Sequence, residues 1–498
     1  MSVSESVSGS DKEMLAVATA LEREGRVLEA IVAYEHLLEF WPGLPDSWYN
    51  LARLQRQTGQ YSRALASYQE ALERQVTQPE EVHLNRGVIF TDCLRQYEAA
   101  ERELAQALAL NPTYVPALVN LANLHEDLGR RELAAAVYEQ ILSLDPENPQ
   151  ALARYAGLKV FSTIEDPFIA RLRNALAKPE IVSADSASIG FALGKALDGC
   201  GGYDAAFEAY RAANRHSRES AGSTFRDYNL QVEERYVDRL IAAFPAHARF
   251  DAPRMITPRT APPQPIFICG MFRSGSTLTE QLISSHPQAM AGGEIDFLPR
   301  AVASRLAPFP ESMASVSPLL LETLAAEYLD MLKDAFPDAA YATDKRPDNY
   351  LLIGLIKILF PNAKIIHTTR DALDNCLSIY FLHLDQTMSY ALDLMDIGHH
   401  YRQYQRLMAH WKSLYAEDIL DVKYDDLVKD PRPVVQQLLS FAGLEWDERC
   451  LSAPRTGRAV KTASAWQVRE PLYQHSSGRA RNYRRQLSAL RGYLNHPQ

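Results

Sequence analysis

Between residues 264 and 287 the chain has little freedom. The apolar run Ile266 to Cys269 reads as a buried strand, Gly270 and Gly275 allow a tight turn, and Leu278, Leu282 and Ile283 recur at helical spacing before Pro287 ends the helix. Gly270, Gly275, Ser276 and Thr277 have the spacing of a nucleotide phosphate loop, with Ser276 where the lysine that reaches the β- and γ-phosphates should stand. A helix start aims free N–H groups and a positive dipole end at an anion, so a phosphate still fits. With no lysine, and with Arg273 inside the loop, a terminal triphosphate is poorly served. A 5′-phosphate carrying a different transferable group suits these residues better.

A second strand-like run, Lys364 to Thr369, delivers Arg370 at its end. Ala372, Leu373, Cys376, Leu377, Tyr380 and Phe381 then follow helical spacing, which puts Ser378 on a helix just beyond. Ligands of open α/β sheets bind beyond the C-terminal strand ends, so the Arg370 fork and the Ser378 hydroxyl can meet one phosphate. The plain alternative for Arg370 and Asp371 is a surface salt bridge. Glu294, carried by the Gly292–Gly293 turn after the loop helix, is a candidate general base for an acceptor hydroxyl; a helix-capping or solvated acid is its bland reading.

These motifs, in this order, resemble the sulfotransferase family, whose donor is 3′-phosphoadenosine 5′-phosphosulfate (PAPS). Arg273, Ser274, Gly275, Ser276 and Thr277 are similar to its 5′-phosphosulfate loop, and Arg370 with Ser378 to its 3′-phosphate motif. The stretch Arg273 to Arg300 is most similar to the protein-tyrosine sulfotransferases. That resemblance implies a catalytic role for Glu294, a Lys345 that steadies the departing bridging oxygen, and a Tyr424 near the nucleotide. It also implies a C-terminal cofactor segment with Ser464 and Arg479, the latter after a one-residue shift, and an Arg300 near the acceptor. Asp296 departs from the pattern, standing where an acceptor-facing arginine is expected. The resemblance covers roughly residues 262 to 485, with no metal needed because Arg273, Lys345 and the helix dipole can neutralise the developing charge.

The first half is a repeat with a 34-residue period, and it resembles the tetratricopeptide pattern. Ala18, Gly25, Ala30, Tyr34 and Pro42 form one copy; Trp48, Ala52, Gly59, Ala64 and Tyr68 form the next. A third copy through Tyr97, Ala100 and Ala107 has its front half slipped by a residue or two. A fourth holds Ala122, Gly129, Ala134 and Tyr138, and a fifth match appears at Gly194, Gly201, Tyr203, Ala206 and Tyr210. Helix pairs of this kind cannot bury their apolar faces alone and stack into a superhelix with a concave groove. Such a groove suits a peptide or protein acceptor, and assembly into a homodimer through the same surface is the competing use.

At 498 residues the chain exceeds the usual limit of about 250 to 300 for one core. The expected organisation is a disordered stretch 1–10, an all-α repeat domain 11–250, and an α/β phosphate-loop sulfotransferase domain 262–498 with a parallel central sheet. The whole net charge of −10 lies in the first half, while residues 451–498 carry nine basic residues and one acid, Glu470. An acidic chain with no recognisable nucleic-acid motif is not expected to bind nucleic acid. Five scattered cysteines without metal-ligand spacing, a polar N-terminus and no long apolar run lead to the expectation of a cytoplasmic protein with no membrane span. Two other classes compete: a phosphate-loop kinase or NTPase, disfavoured by Ser276, and a non-catalytic repeat scaffold, disfavoured by retention of Arg273, Glu294, Lys345, Arg370 and Ser378 together.

Overall fold

The 34-residue period becomes a run of paired helices in the computed structural model, which describes residues 3–245, 263–385, 387–451 and 477–496. Contacts divide the chain into two compact units, Met1–Leu158 and Lys159–Gln498. The first unit comprises α1 (Val3–Arg23), α2 (Val27–Phe40), α3 (Pro45–Gln57), α4 (Tyr61–Glu73), α5 (Pro79–Val88), α6 (Tyr97–Leu110), α7 (Val115–Asp127), α8 (Arg131–Leu144) and α9 (Pro149–Leu158). Within each pair, small residues let the helices approach: Ala30, Ala52, Ala64, Ala100, Ala122 and Ala134 are fully buried. Tyr34, Tyr68 and Tyr138 fill the space between helices and are equally buried.

The inter-helix turns need a left-handed residue, supplied by Gly25 (φ 73°), Gly59 (φ 76°) and Gly129 (φ 74°). In the third repeat Arg95 (φ 55°) takes that place, and α5 runs on into a wider π-helical turn over Ile89–Cys93. The extra residues absorbed by this turn account for the slipped register seen in the sequence.

The first helix, α1, runs from Val3 to Arg23. Ala18 is buried against α2, with Met14, Leu15 and Leu21 partly buried around it. Once that face is packed, extending a helix backward gains a hydrogen bond for each residue fixed.

The second unit opens with α10 (Pro167–Leu176), α11 (Ser183–Gly199), α12 (Tyr203–Ser220) and α13 (Leu230–Ala243). It continues through β1 (Gln264–Gly270), α14 (Ser276–Ser284), β2 (Ala289–Ala291), α15 (Phe297–Arg305), α16 (Pro318–Ala335), β3 (Tyr341–Lys345), α17 (Ile353–Leu359), β4 (Lys364–Thr369) and α18 (Ala372–Tyr380). It closes with α19 (Leu394–Leu414), β5 (Ile419–Lys423), α20 (Tyr424–Lys429), α21 (Pro431–Ala442) and α22 (Ser488–Asn495). The sheet is parallel, in the order β2-β3-β1-β4-β5, with β1 in the middle. Ile266 and Ile268 face a core built with Leu282, Ile283, Leu438 and Leu439, while Phe267 on the opposite face stacks with Tyr328 and Phe360. Both faces are covered, as a parallel sheet requires.

The fifth repeat-like match is the α11–α12 hairpin, and it packs with the second unit instead of the first. A Cβ at Gly194 would lie 2.8 Å from the Tyr210 ring, which is the close packing that produces the repeat signature. Yet Tyr210 stacks on Phe381 at 3.8 Å, and Asn214 Nδ2 donates to the Tyr380 carbonyl at 2.9 Å. The expected boundary near 250–262 therefore differs from the compact division at Leu158, because the aromatic face of α12 is completed by the end of α18.

Candidate active site

The central strand ends at Gly270, where the backbone turns sharply against the neighbouring strand. A Cβ there would lie 2.3 Å from the Thr368 carbonyl oxygen, so only glycine fits at φ 151°. Ser274 is buried in the loop and shares a 2.7 Å hydrogen bond with Thr368 Oγ1, whose hydroxyl also donates to the Cys269 carbonyl. Gly275 (φ 104°) caps α14, and a Cβ on it would meet the Tyr424 ring at 2.7 Å. The loop is thus a glycine-lined cradle under Tyr424, opening onto the first turn of α14 with Ser276 and Thr277.

Arg273 has a left-handed backbone (φ 68°), strained for a side-chain-bearing residue. Its Nε donates to Ser378 Oγ at 3.2 Å, bringing together two motifs separated by 105 residues. Arg370 approaches the same point, with Nη1 3.4 Å from the Arg273 carbonyl and its guanidinium 5.1 Å over the Tyr424 ring. Burial, and then the neighbouring Arg370, push the Arg273 guanidinium down to about 10; burial also lowers that of Arg370. Two cations held this close form a site electrostatically ready for a polyanion.

Arg479 belongs to this basic group, lowering Arg273 and Arg370 through its charge. It is held by Asp198 on α11 (2.6 Å) and lies 5.0 Å over Phe381. Its segment is pinned by Asp374 on α18, which accepts from the Gly478 and Ala480 amides at 2.5 and 2.6 Å. Asp198 and Asp374 are invisible as partners from the sequence: the first falls in the fifth repeat-like match and the second lies inside an apolar helix. Ser464 lies outside the described residues.

At the end of β3 the backbone of Lys345 donates to the Gly293 carbonyl at 2.8 Å, and its Nζ donates to Glu294 Oε1 at 2.7 Å. The pair is asymmetric: the Lys345 side chain is 2% exposed and that of Glu294 is 47% exposed. A buried ammonium therefore meets a carboxylate that still reaches solvent. A short strand, β2, intervenes between α14 and the Gly292–Gly293 turn, and its pairing with β3 carries Glu294 alongside Lys345. Asp296 forms an ion pair with Arg346, which also binds Asp348 at 3.0 Å. The cation beside Asp296 thus comes from the residue after Lys345, a partner the sequence did not reveal. Arg300 is exposed on α15, with Nε 3.3 Å from the Asp296 carbonyl at the start of its own helix. Glu280 on α14 was also missed; it is buried beneath the Gly292–Gly293 turn.

Residues 265–448 match the sulfotransferase family model, and residues 21–84 and 94–158 match a tetratricopeptide-repeat model. The chain carries a sulfotransferase-family domain behind tetratricopeptide repeats. It is 32% identical over 422 residues to an uncharacterized protein of Aquifex aeolicus (strain VF5), covering 82% of this chain and 52% of that relative. It is 25% identical over 205 residues to protein-tyrosine sulfotransferase 2 of Gallus gallus, covering 37% of this chain and 53% of the other. The chain spans about half the length of these curated relatives. Among solved structures, the sulfotransferase domain of the Synechococcus PCC 7002 olefin synthase is 24% identical, with a TM-score of 0.35, covering 44% of this chain and 88% of that domain. No described helix is long and apolar enough to cross a membrane, and no described cluster of His, Cys, Asp and Glu could hold a metal ion.

Proposed function

We propose that this chain uses its sulfotransferase-family domain to move a sulfuryl group from PAPS to a hydroxyl, on a tyrosine or another side chain of a peptide or protein held by the repeats. The observation that carries this reading is the meeting of Arg273 and Ser378 at 3.2 Å, with Arg370 beside them. A phosphate loop alone fits many nucleotides. A second basic and hydroxylic pocket at the end of the adjacent strand suits a nucleotide with a second phosphate, at the 3′ position.

The residues present fit such a donor. Gly270 and Gly275 keep the cradle open, while Ser276, Thr277 and the α14 N-terminus offer N–H and hydroxyl donors. Arg370 and Ser378 supply a fork and a hydroxyl for the 3′-phosphate. Tyr424 walls the loop, and Arg479, with Ser464 as a further candidate, adds contacts from the C-terminal segment. When bound, the donor supplies an electrophilic sulfur and a phosphate leaving group. Glu294 receives the proton of the attacking hydroxyl as the acceptor O–S bond forms. Lys345 and Arg273 hold positive charge where the electron pair of the breaking S–O bond collects on the bridging oxygen. Arg300 is assigned to the acceptor side, and no metal is assigned a role.

Calorimetry with adenosine 3′,5′-bisphosphate (PAP) and AMP tests the donor. PAP is expected to bind at least tenfold more tightly, since one lost charge-assisted hydrogen bond is worth ~1.5 to 3 kcal/mol. Equal affinities would contradict the reading.

A further inference from the structure

Glu280 is a buried carboxylate that none of the steps above uses. It lies on α14 with 6% of its surface exposed, on a helix whose neighbouring Leu278, Thr279, Leu282 and Ile283 are also buried. Burying a carboxylate is costly unless it is paired and hydrogen-bonded. Its Oε1 accepts from the Gly293 amide at 3.0 Å and from Thr343 Oγ1 at 2.7 Å. Thr343 Oγ1 in turn accepts from the Gly292 amide at 3.1 Å, and the Gly293 carbonyl takes the Lys345 amide at 2.8 Å. The turn lies flat on β3, since a Cβ at Gly292 would come 2.1 Å from the Thr343 carbonyl oxygen. Both amides and one carbonyl of the turn that carries Glu294 are therefore fixed, and Glu280 is the anchor.

The charges extend the argument. Burial raises the Glu280 carboxyl, the charge of Lys345 opposes that rise, and Glu294 adds to it. Two carboxylates thus share the field of one buried ammonium, with Glu294 the exposed member and Glu280 the enclosed one. When Glu294 takes up a proton, Lys345 would lose its hydrogen-bonded counter-ion and become an uncompensated buried cation. An ionised Glu280 would leave a negative charge in that field.

We propose that Glu280 is a positioning residue for the transfer chemistry, aiming Glu294 through the Gly292–Gly293 turn and acting as the second counter-charge of Lys345. It touches neither donor nor acceptor. The inference rests on the proposed function, in which Glu294 is the base.

The test needs no acceptor. Carboxyl ¹³C resonances of glutamate-labelled full-length protein are titrated in the wild type and Glu294→Gln, with the Glu280 signal assigned from its backbone correlations. In Glu294→Gln the Glu280 titration is expected to move to lower pH, because a like charge has been removed. A Glu280 titration left in place overturns the proposal. PAP calorimetry on the same proteins keeps the two claims apart. Loss of PAP preference in the wild type refutes the donor reading, whereas intact preference with an unmoved titration refutes only the role of Glu280.

Discussion

Replacing Arg370 by alanine tests the proposed binding of a donor with two separate phosphates. The guanidinium sits at the end of β4, 5.1 Å over Tyr424 and 3.4 Å from the Arg273 carbonyl, and its own charge helps push Arg273 down to about 10. If it grips the 3′-phosphate, its loss removes at least one charge-assisted hydrogen bond, ~1.5 to 3 kcal/mol, or roughly 10- to 150-fold in PAP affinity. AMP has no 3′-phosphate, so its affinity should change little. The ligand-free protein should lose less than about 1 kcal/mol of stability, because the lost cation–π contact is offset by relief of the repulsion on Arg273. Titration calorimetry with both nucleotides, together with thermal unfolding with and without PAP, reads all three quantities. The PAP-induced rise in Tm should shrink while the ligand-free Tm barely moves. An Arg370→Ala protein that loses affinity equally for PAP and AMP, or for neither, would refute the placement of the 3′-phosphate at Arg370.

Glu294→Gln should lower turnover by ~10² to 10⁴ while nucleotide affinity stays nearly constant. Steady-state kinetics and calorimetry check these expectations. Asp344, buried beside Lys345 and accepting from Tyr328 and Asn349, is raised by burial to about 6, so it holds its proton more tightly folded than unfolded. The stability this provides is present at low pH and is lost as pH rises from about 4 through 6, ~3 kcal/mol in all. Asp344→Asn should flatten that slope in urea unfolding at pH 4.5 and 7.5, and an unchanged slope would count against it. A fragment starting at Lys159 should fold and bind PAP. One starting at Asp251 should not, since it removes Tyr210 from Phe381 and Asp198 from Arg479; circular dichroism and calorimetry on the two fragments decide.

The parallel sheet and the glycine-lined loop after its central strand were legible because local signals agreed: apolar runs at Ile266 and Ile365, glycines at the turn, and helical spacing after each. Arg370 and Ser378 could be paired from the rule that ligands sit beyond strand ends, whereas the contact of Arg273 with Ser378 is seen only in the structure. What the sequence hid depended on long-range packing. The α11–α12 hairpin carries a genuine repeat signature, Gly194 against Tyr210, but which neighbour completes its aromatic face is decided by Phe381, far along the chain. Glu280 had one faint signal, an acid between Leu278 and Leu282 on a helix that follows a central strand. Nothing local says that its partners would be Thr343 and the amide of Gly293. Arg346 and Asp198 are invisible for the same reason: ion pairs across distant segments leave no periodicity behind.

Transfer of the sulfuryl group itself is the claim on which the rest depends. Incubating the full-length protein with PAPS and a broad set of peptides and metabolites, with intact-mass detection of acceptors and chromatographic measurement of PAP, follows both products at once. The account predicts acceptors that gain one sulfuryl group in equal amount to the PAP released, with loss of both in Glu294→Gln. Turnover of ATP that requires Mg²⁺, with no sulfuryl gain from PAPS on any acceptor, would contradict it.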